Sequence, residues 1–109
     1  MKEITLIGKF KVVNSFLGDS TKIINEVVSI IRNVSGNISS CIYKDINNKN
    51  TFFYIDKWIS SKALDEYYKS EAFKKTILIS KNMLGISDIN DSEEIMNKFD
   101  EHQTIKIID

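Results

Sequence analysis

The segment TFFYIDKW (51–58) puts Phe52, Tyr54, Asp56 and Trp58 on one side of an extended chain and Phe53, Ile55 and Lys57 on the other. Successive side chains of a strand point to opposite faces, so this alternation predicts a half-buried β-strand. Residues 4–13 repeat the pattern, with Ile4, Leu6, Phe10 and Val12 against Thr5, Lys9 and Lys11. Between these two strands the period changes. Ile23, Ile24, Val27, Ile31 and Val34 form a stripe at helical spacing, opened by Asp19 or Ser20 and stopped at Gly36, a residue suited to a left-handed C-terminal turn. A second strand is expected over 38–43, joined to 51–58 through the turn-rich DINNKN as an antiparallel hairpin.

After Trp58, Ser60 is placed to cap a short helix carrying Ala63, Leu64, Tyr67 and Tyr68. Ser70 restarts the chain into a longer helix in which Phe73, Ile77, Ser80 and Leu84 share a face, ended by Gly85. A short helix is expected from Asp91 or Ser92, and a last strand over 104–108. The order β-α-β-β-α-β is that of the ferredoxin-like split βαβ, an α+β fold with an antiparallel sheet. We expect a single domain over 1–109 with an acidic insert at about 86–103 before the last strand. Helices cover one face of such a sheet and leave the other in need of cover. The second face of 4–13 holds Thr5, Ile7, Lys9, Lys11 and Val13, too apolar to stand in water, and a homodimer packed sheet to sheet would bury it.

Charge narrows the function. The 15 Lys and Arg balance the 15 Asp and Glu, which argues against a nucleic-acid partner, since that needs a basic face. The charge is also uneven, with an excess of five positive charges before residue 85 and five negative charges after it. Such a split reads as self-complementary surface, within the chain or across a dimer. No apolar run approaches the ~20 residues that span a bilayer. The N-terminal MKEITLIGKF does not read as a signal peptide, and a lone cysteine fits a reducing cytoplasm. The absence of proline and the heavy use of Ile, Lys and Asn suggest an AT-rich bacterial source.

Several of these residues carry a family resemblance. The runs Gly36-x-Ile38-x-x-x-Ile42-Tyr43-x-Asp45, Phe52-x-x-Ile55-Asp56-x-Trp58-x-Ser60, Ala63-Leu64 and Ser70-x-x-Phe73 resemble the antibiotic biosynthesis monooxygenase family. The resemblance covers residues 3–85 and implies a dimeric α+β barrel. It also implies oxygenation of a quinol-like or phenolic aromatic by dioxygen, with no metal, flavin or other cofactor. In such chemistry the deprotonated substrate is itself the reductant, and the protein supplies an apolar cavity, a proton acceptor and hydrogen-bond donors. The haem-degrading branch of the fold uses a histidine on the helix after the tryptophan strand and an asparagine on the first strand. This chain has neither, and Ala72 stands where the family often has a histidine. The alternatives on the same fold are a non-catalytic dimeric ligand-binding or stress-related module and a small-metabolite isomerase.

The candidate proton acceptors are Asp56, set between two large aromatics, and His102, in the acidic run DEHQ. Poor solvation would raise the Asp56 pKa toward that of a useful base, but the same residue could pair with a lysine or cap backbone. His102 is either solvated or reaches a neighbouring site across the dimer. Tyr43, Tyr54, Trp58, Tyr67 and Tyr68 are the candidate substrate-binding residues, each equally able to serve as packing. Tyr67 and Tyr68 diverge by about 100° on a helix, so one is expected to pack inward while the other borders a pocket or the surface. Cys41 reads as a buried packing residue. There is no metal-spacing motif, phosphate loop or nucleophile elbow.

Overall fold

The computed structural model describes residues 2–105, with the side chains of residues 104 and 105 excepted. Strand β1 (Ile4–Lys11) leads through a 3-10 turn at 14–16 to helix α1 (Ser20–Arg32). Strands β2 (Asn37–Lys44) and β3 (Thr51–Trp58) follow, then helices α2 (Ser61–Tyr68), α3 (Glu71–Leu84) and α4 (Ser92–Asn97), and last strand β4 (Asp100–Ile105). The sheet is antiparallel in the order β2-β3-β1-β4, the arrangement of a ferredoxin-like fold.

Alternation settles which side is covered. Ile4, Leu6, Phe10, Phe52, Tyr54, Asp56 and Trp58 are buried beneath the helices, while Ile7, Lys9, Lys11, Phe53 and Lys57 remain exposed on the opposite face. The stripe on α1 buries Ile24, Val27, Val28 and Ile31 against this layer, and Ile77, Met83 and Leu84 do the same from α3. Phe10 and Phe52, opposite one another in the β1–β3 register, stack with ring centroids 5.6 Å apart.

Local chemistry sets the turns. Gly36 follows α1 at φ 88°, and a Cβ there would stand 2.6 Å from the Cβ of Ala63, so both conformation and space require glycine. The Ser60 hydroxyl accepts from the Ala63 N–H at 3.1 Å and caps α2. The Ser70 hydroxyl accepts from the Phe73 N–H at 3.2 Å and donates to the Tyr67 carbonyl at 2.6 Å, ending α2 and starting α3 within one turn. At α1 the expected cap differs. Asp19 occupies the N-cap without a side-chain bond, and the Ser20 hydroxyl donates backward to the Leu17 carbonyl at 2.8 Å.

The last strand also departs from expectation, beginning at Asp100 rather than Thr104; the expected continuation to Ile108 lies outside the described residues. Residues 100–103 are all polar, so no hydrophobic alternation marks them. Their extended form follows from pairing with β1, where Lys9 faces Asp100, Gly8 faces Glu101 and Ile7 faces His102. The acidic segment before it is ordered by its own carboxylates. Asp91 caps α4 by accepting from the Glu94 N–H, and Glu94 accepts from the N–H groups of Ser87 and Asp88 at 3.0 and 2.8 Å.

Candidate active site

A narrow cavity of about 80 Å³ lies between the helix-covered face of the sheet and α1, α2 and α3, with Met96, Phe99 and Glu101 closing one side. Its walls are apolar over most of their area. The polar groups that reach it are Ser40, Asp56, Thr76 and Ser80, three tyrosines and Glu101.

Register explains how these groups meet. Ser40 and Asp56 are direct partners across β2 and β3, and the Ser40 hydroxyl donates to Asp56 Oδ1 at 2.6 Å. One row along, Gly8 faces Tyr54 on one side and Glu101 on the other. A Cβ at Gly8 would lie 2.3 Å from the Tyr54 hydroxyl oxygen and 2.4 Å from the ring carbon that bears it. The missing side chain therefore leaves a trough in which the Tyr54 ring crosses β1 and donates its hydroxyl to Glu101 Oε2. The same carboxylate accepts from Tyr68 of α2, at 3.2 Å to Oε1 and 3.4 Å to Oε2. Glu101 thus fastens the last strand to β3 and to α2.

The serine restart at 70 gathers the aromatic wall. Phe73 meets Tyr67 and Tyr68 edge-on, at 5.4 and 5.3 Å. Tyr67 packs inward, stacked on Trp58 at 5.1 Å, with its hydroxyl 3.5 Å from that of Thr76. Tyr68 is half-buried at the cavity edge. The two tyrosines therefore divide as their helical offset predicts.

Burial dominates the electrostatics. Asp56 is only 6% exposed, and its pKa is pushed up to about 6, chiefly by desolvation. The nearby Glu101 charge adds to that rise and the Ser40 bond opposes it. Desolvation also pushes Tyr67 up to about 12 and Tyr54 and Tyr68 higher still, with Glu101 reinforcing the rise at both of the latter. All three phenols are therefore held as neutral hydrogen-bond donors at neutral pH.

The structure places Asp56, Tyr54, Tyr67 and Tyr68 together at the cavity. Trp58 is fully buried behind Tyr67, and its indole Nε1 has no partner among the described residues. Tyr43 is 53% exposed, and its β3 partner is Phe53, on the helix-free face. His102 pairs with Ile7 and is exposed on that same face, away from its own chain's cavity. Glu101 joins the site although it falls in the acidic segment expected to precede the last strand. Its one sequence signal is position, in register with a glycine of β1, and that is visible only once the strands are paired.

Among the described residues no group of three or more His, Cys, Asp or Glu is placed to hold a metal, and no helix is long and apolar enough to cross a membrane. Similar solved structures span nearly the whole chain. A Caulobacter crescentus protein matches with a TM-score of 0.77 at 10% identity, over 98% of this chain and 92% of its own. A conserved protein from Methanosarcina mazei matches at 0.74 and 16%, covering 98% and 95%. SnoaB, a cofactor-independent oxygenase from Streptomyces nogalater, matches at 0.69 and 10%, covering 95% and 92%. At these identities the likeness is one of fold. No curated protein matches the sequence. The antibiotic biosynthesis monooxygenase family model matches residues 3–77, and the chain belongs to that family.

Proposed function

We propose that the protein is a cofactor-independent monooxygenase acting on a phenolic or quinol-like aromatic, with Asp56 as proton acceptor. The observation that carries this reading is the Asp56 carboxyl, buried among aromatic rings at the cavity with its pKa raised to about 6. It is mostly ionised at neutral pH yet basic enough to take a proton from an activated aromatic C–H or O–H. The resulting carbanion or phenolate passes one electron to dioxygen, and the radical pair closes a C–O bond as a peroxide anion. Protonated Asp56 returns the proton, and loss of water from a former CH2 carbon leaves a carbonyl. One CH2 and one O2 become one C=O and one H2O. Tyr68, whose bonds to Glu101 are long, is free to turn its hydroxyl toward the developing anion.

The volume constrains the substrate's path. A cavity of about 80 Å³ is smaller than the ~150 Å³ that admits a benzene ring. A ring enters only if Tyr68, Phe73, Met96 or Phe99, the less buried parts of the wall, move aside. Trp58 then backs the substrate through Tyr67. His102 and Tyr43, on the opposite face, could act only through a second copy in a sheet-to-sheet homodimer, which we propose as the working assembly. We place the protein in the cytoplasm. The small cavity also favours a second reading, a dimeric module that binds a small ligand without reacting it.

An oxygen electrode separates the two. Metal-free protein supplied with a panel of quinols and anthrones should consume oxygen faster than autoxidation, and Asp56→Asn should abolish the excess. Equal consumption by Asp56→Asn would remove the base from the mechanism. Binding without any consumption would leave the second reading.

A further inference from the structure

Two carboxylates, Asp56 and Glu101, reach the same apolar cavity. Among the described residues no Lys, Arg or His lines it, and the ion pairs Lys9–Asp100 and Lys74–Glu71 involve neither carboxylate. Among the described residues the hydrogen bonds to the Asp56 and Glu101 carboxylates come from neutral hydroxyls, those of Ser40, Tyr54 and Tyr68. The remaining wall presents aromatic rings, among them Tyr67, Phe73 and Phe99, whose faces carry partial negative charge. A cation entering this space would meet two carboxylates and several aromatic side chains without displacing a positive group of the described residues. An anion of the same shape would meet like charge in a poorly solvated site.

We propose that the cavity selects by charge: its occupant is an aromatic molecule bearing a protonated amine, anions of equal size are rejected, and Glu101 is the residue that sets this preference. The proposal rests on the reading that this cavity is the substrate site, and it narrows the phenolic substrate to an amine-bearing one. The ammonium supplies the positive charge that no described residue brings to the cavity. It sits toward Glu101 at the β4 wall, so the ring lies toward Asp56 and Tyr67. It also offsets the negative charge that develops on the ring when Asp56 removes a proton.

Calorimetric titration of the wild-type protein near neutral pH with benzylamine, benzyl alcohol and benzoate tests the preference without any oxygen chemistry. Benzylamine should bind at least about tenfold more tightly than benzoate, with the alcohol between them. Glu101→Gln keeps an acceptor for one tyrosine and should bring the three affinities close together. Asp56→Asn should reduce the same ratio by a smaller factor. The proposal is overturned if benzoate binds as well as benzylamine, if none of the three binds, or if Glu101→Gln leaves the ratio unchanged. Oxygen uptake is read separately. A charge preference without oxygen consumption would sink the monooxygenase and leave the selectivity standing, and oxygen consumption with benzoate favoured would do the reverse.

Discussion

At Gly8 the Tyr54 ring fills the space a side chain would take and reaches Glu101 across β1. Gly8→Ala is expected to cost about 1–3 kcal/mol by overpacking, with the Tyr54–Glu101 bond broken. Gly18→Ala, where a Cβ would meet nothing within 4 Å, should stay within about 0.5 kcal/mol of wild type. Urea unfolding of both variants checks the contrast, and equal effects would refute it. Asp56 gives a pH signature of defined sign. Its folded pKa of about 6 lies above its ordinary 3.8, so its contribution to stability is intact below about pH 4. As pH rises to 6 the unfolded chain releases this proton while the fold retains it. The cost grows to about 3 kcal/mol and then levels. Asp56→Asn should therefore gain on wild type across that window, and a difference independent of pH would show that Asp56 titrates normally. Of these residues Asp56 was legible in the sequence, because alternation puts it between Tyr54 and Trp58 on one face. Glu101 was not, because nothing local ties a glutamate in a polar run to a tyrosine 47 positions earlier.

The helices at the cavity depend on their first residues. Ser60 and Ser70 each satisfy a backbone N–H of the turn they open, so Ser60→Ala and Ser70→Ala should each cost about 1 kcal/mol. Ser70→Ala should also loosen the wall, because the turn at Ser70 brings Phe73 against both tyrosines. Near-ultraviolet circular dichroism should change for Ser70→Ala and hold for Ser60→Ala; the same spectral change in both would show that the turn at 70 is not special. The elements that carried hydrophobic periodicity were readable in order and nearly in extent, and β3 falls on the residues its alternation marks. The start of β4 was not readable. An edge strand of Asp, Glu, His and Gln has no apolar period, and its extension is imposed by hydrogen bonds to β1.

At the scale of the whole fold, no helix of the described residues covers one face of the sheet, and Ile7, Phe53 and Tyr43 are 39%, 37% and 53% exposed there. In the homodimer proposed above this face becomes the interface. Sedimentation at micromolar concentration should show a dimer, and Phe53→Glu, which places a charge on the apolar patch, should shift it to monomer. A wild-type monomer would refute the assembly. The sequence by itself determined the order of elements, the two faces of β1 and β3 and the glycine and serine turns, because these follow from side-chain periodicity and local backbone chemistry. It also put Asp56 and Tyr54 on one face of β3. Only the tertiary structure decided that Ser40 would bond Asp56, that Tyr54 would lie over Gly8, and that Glu101 would complete the cavity while His102 faced away. Those relations depend on the register between strands far apart in sequence, and a shift of one residue would have reversed them.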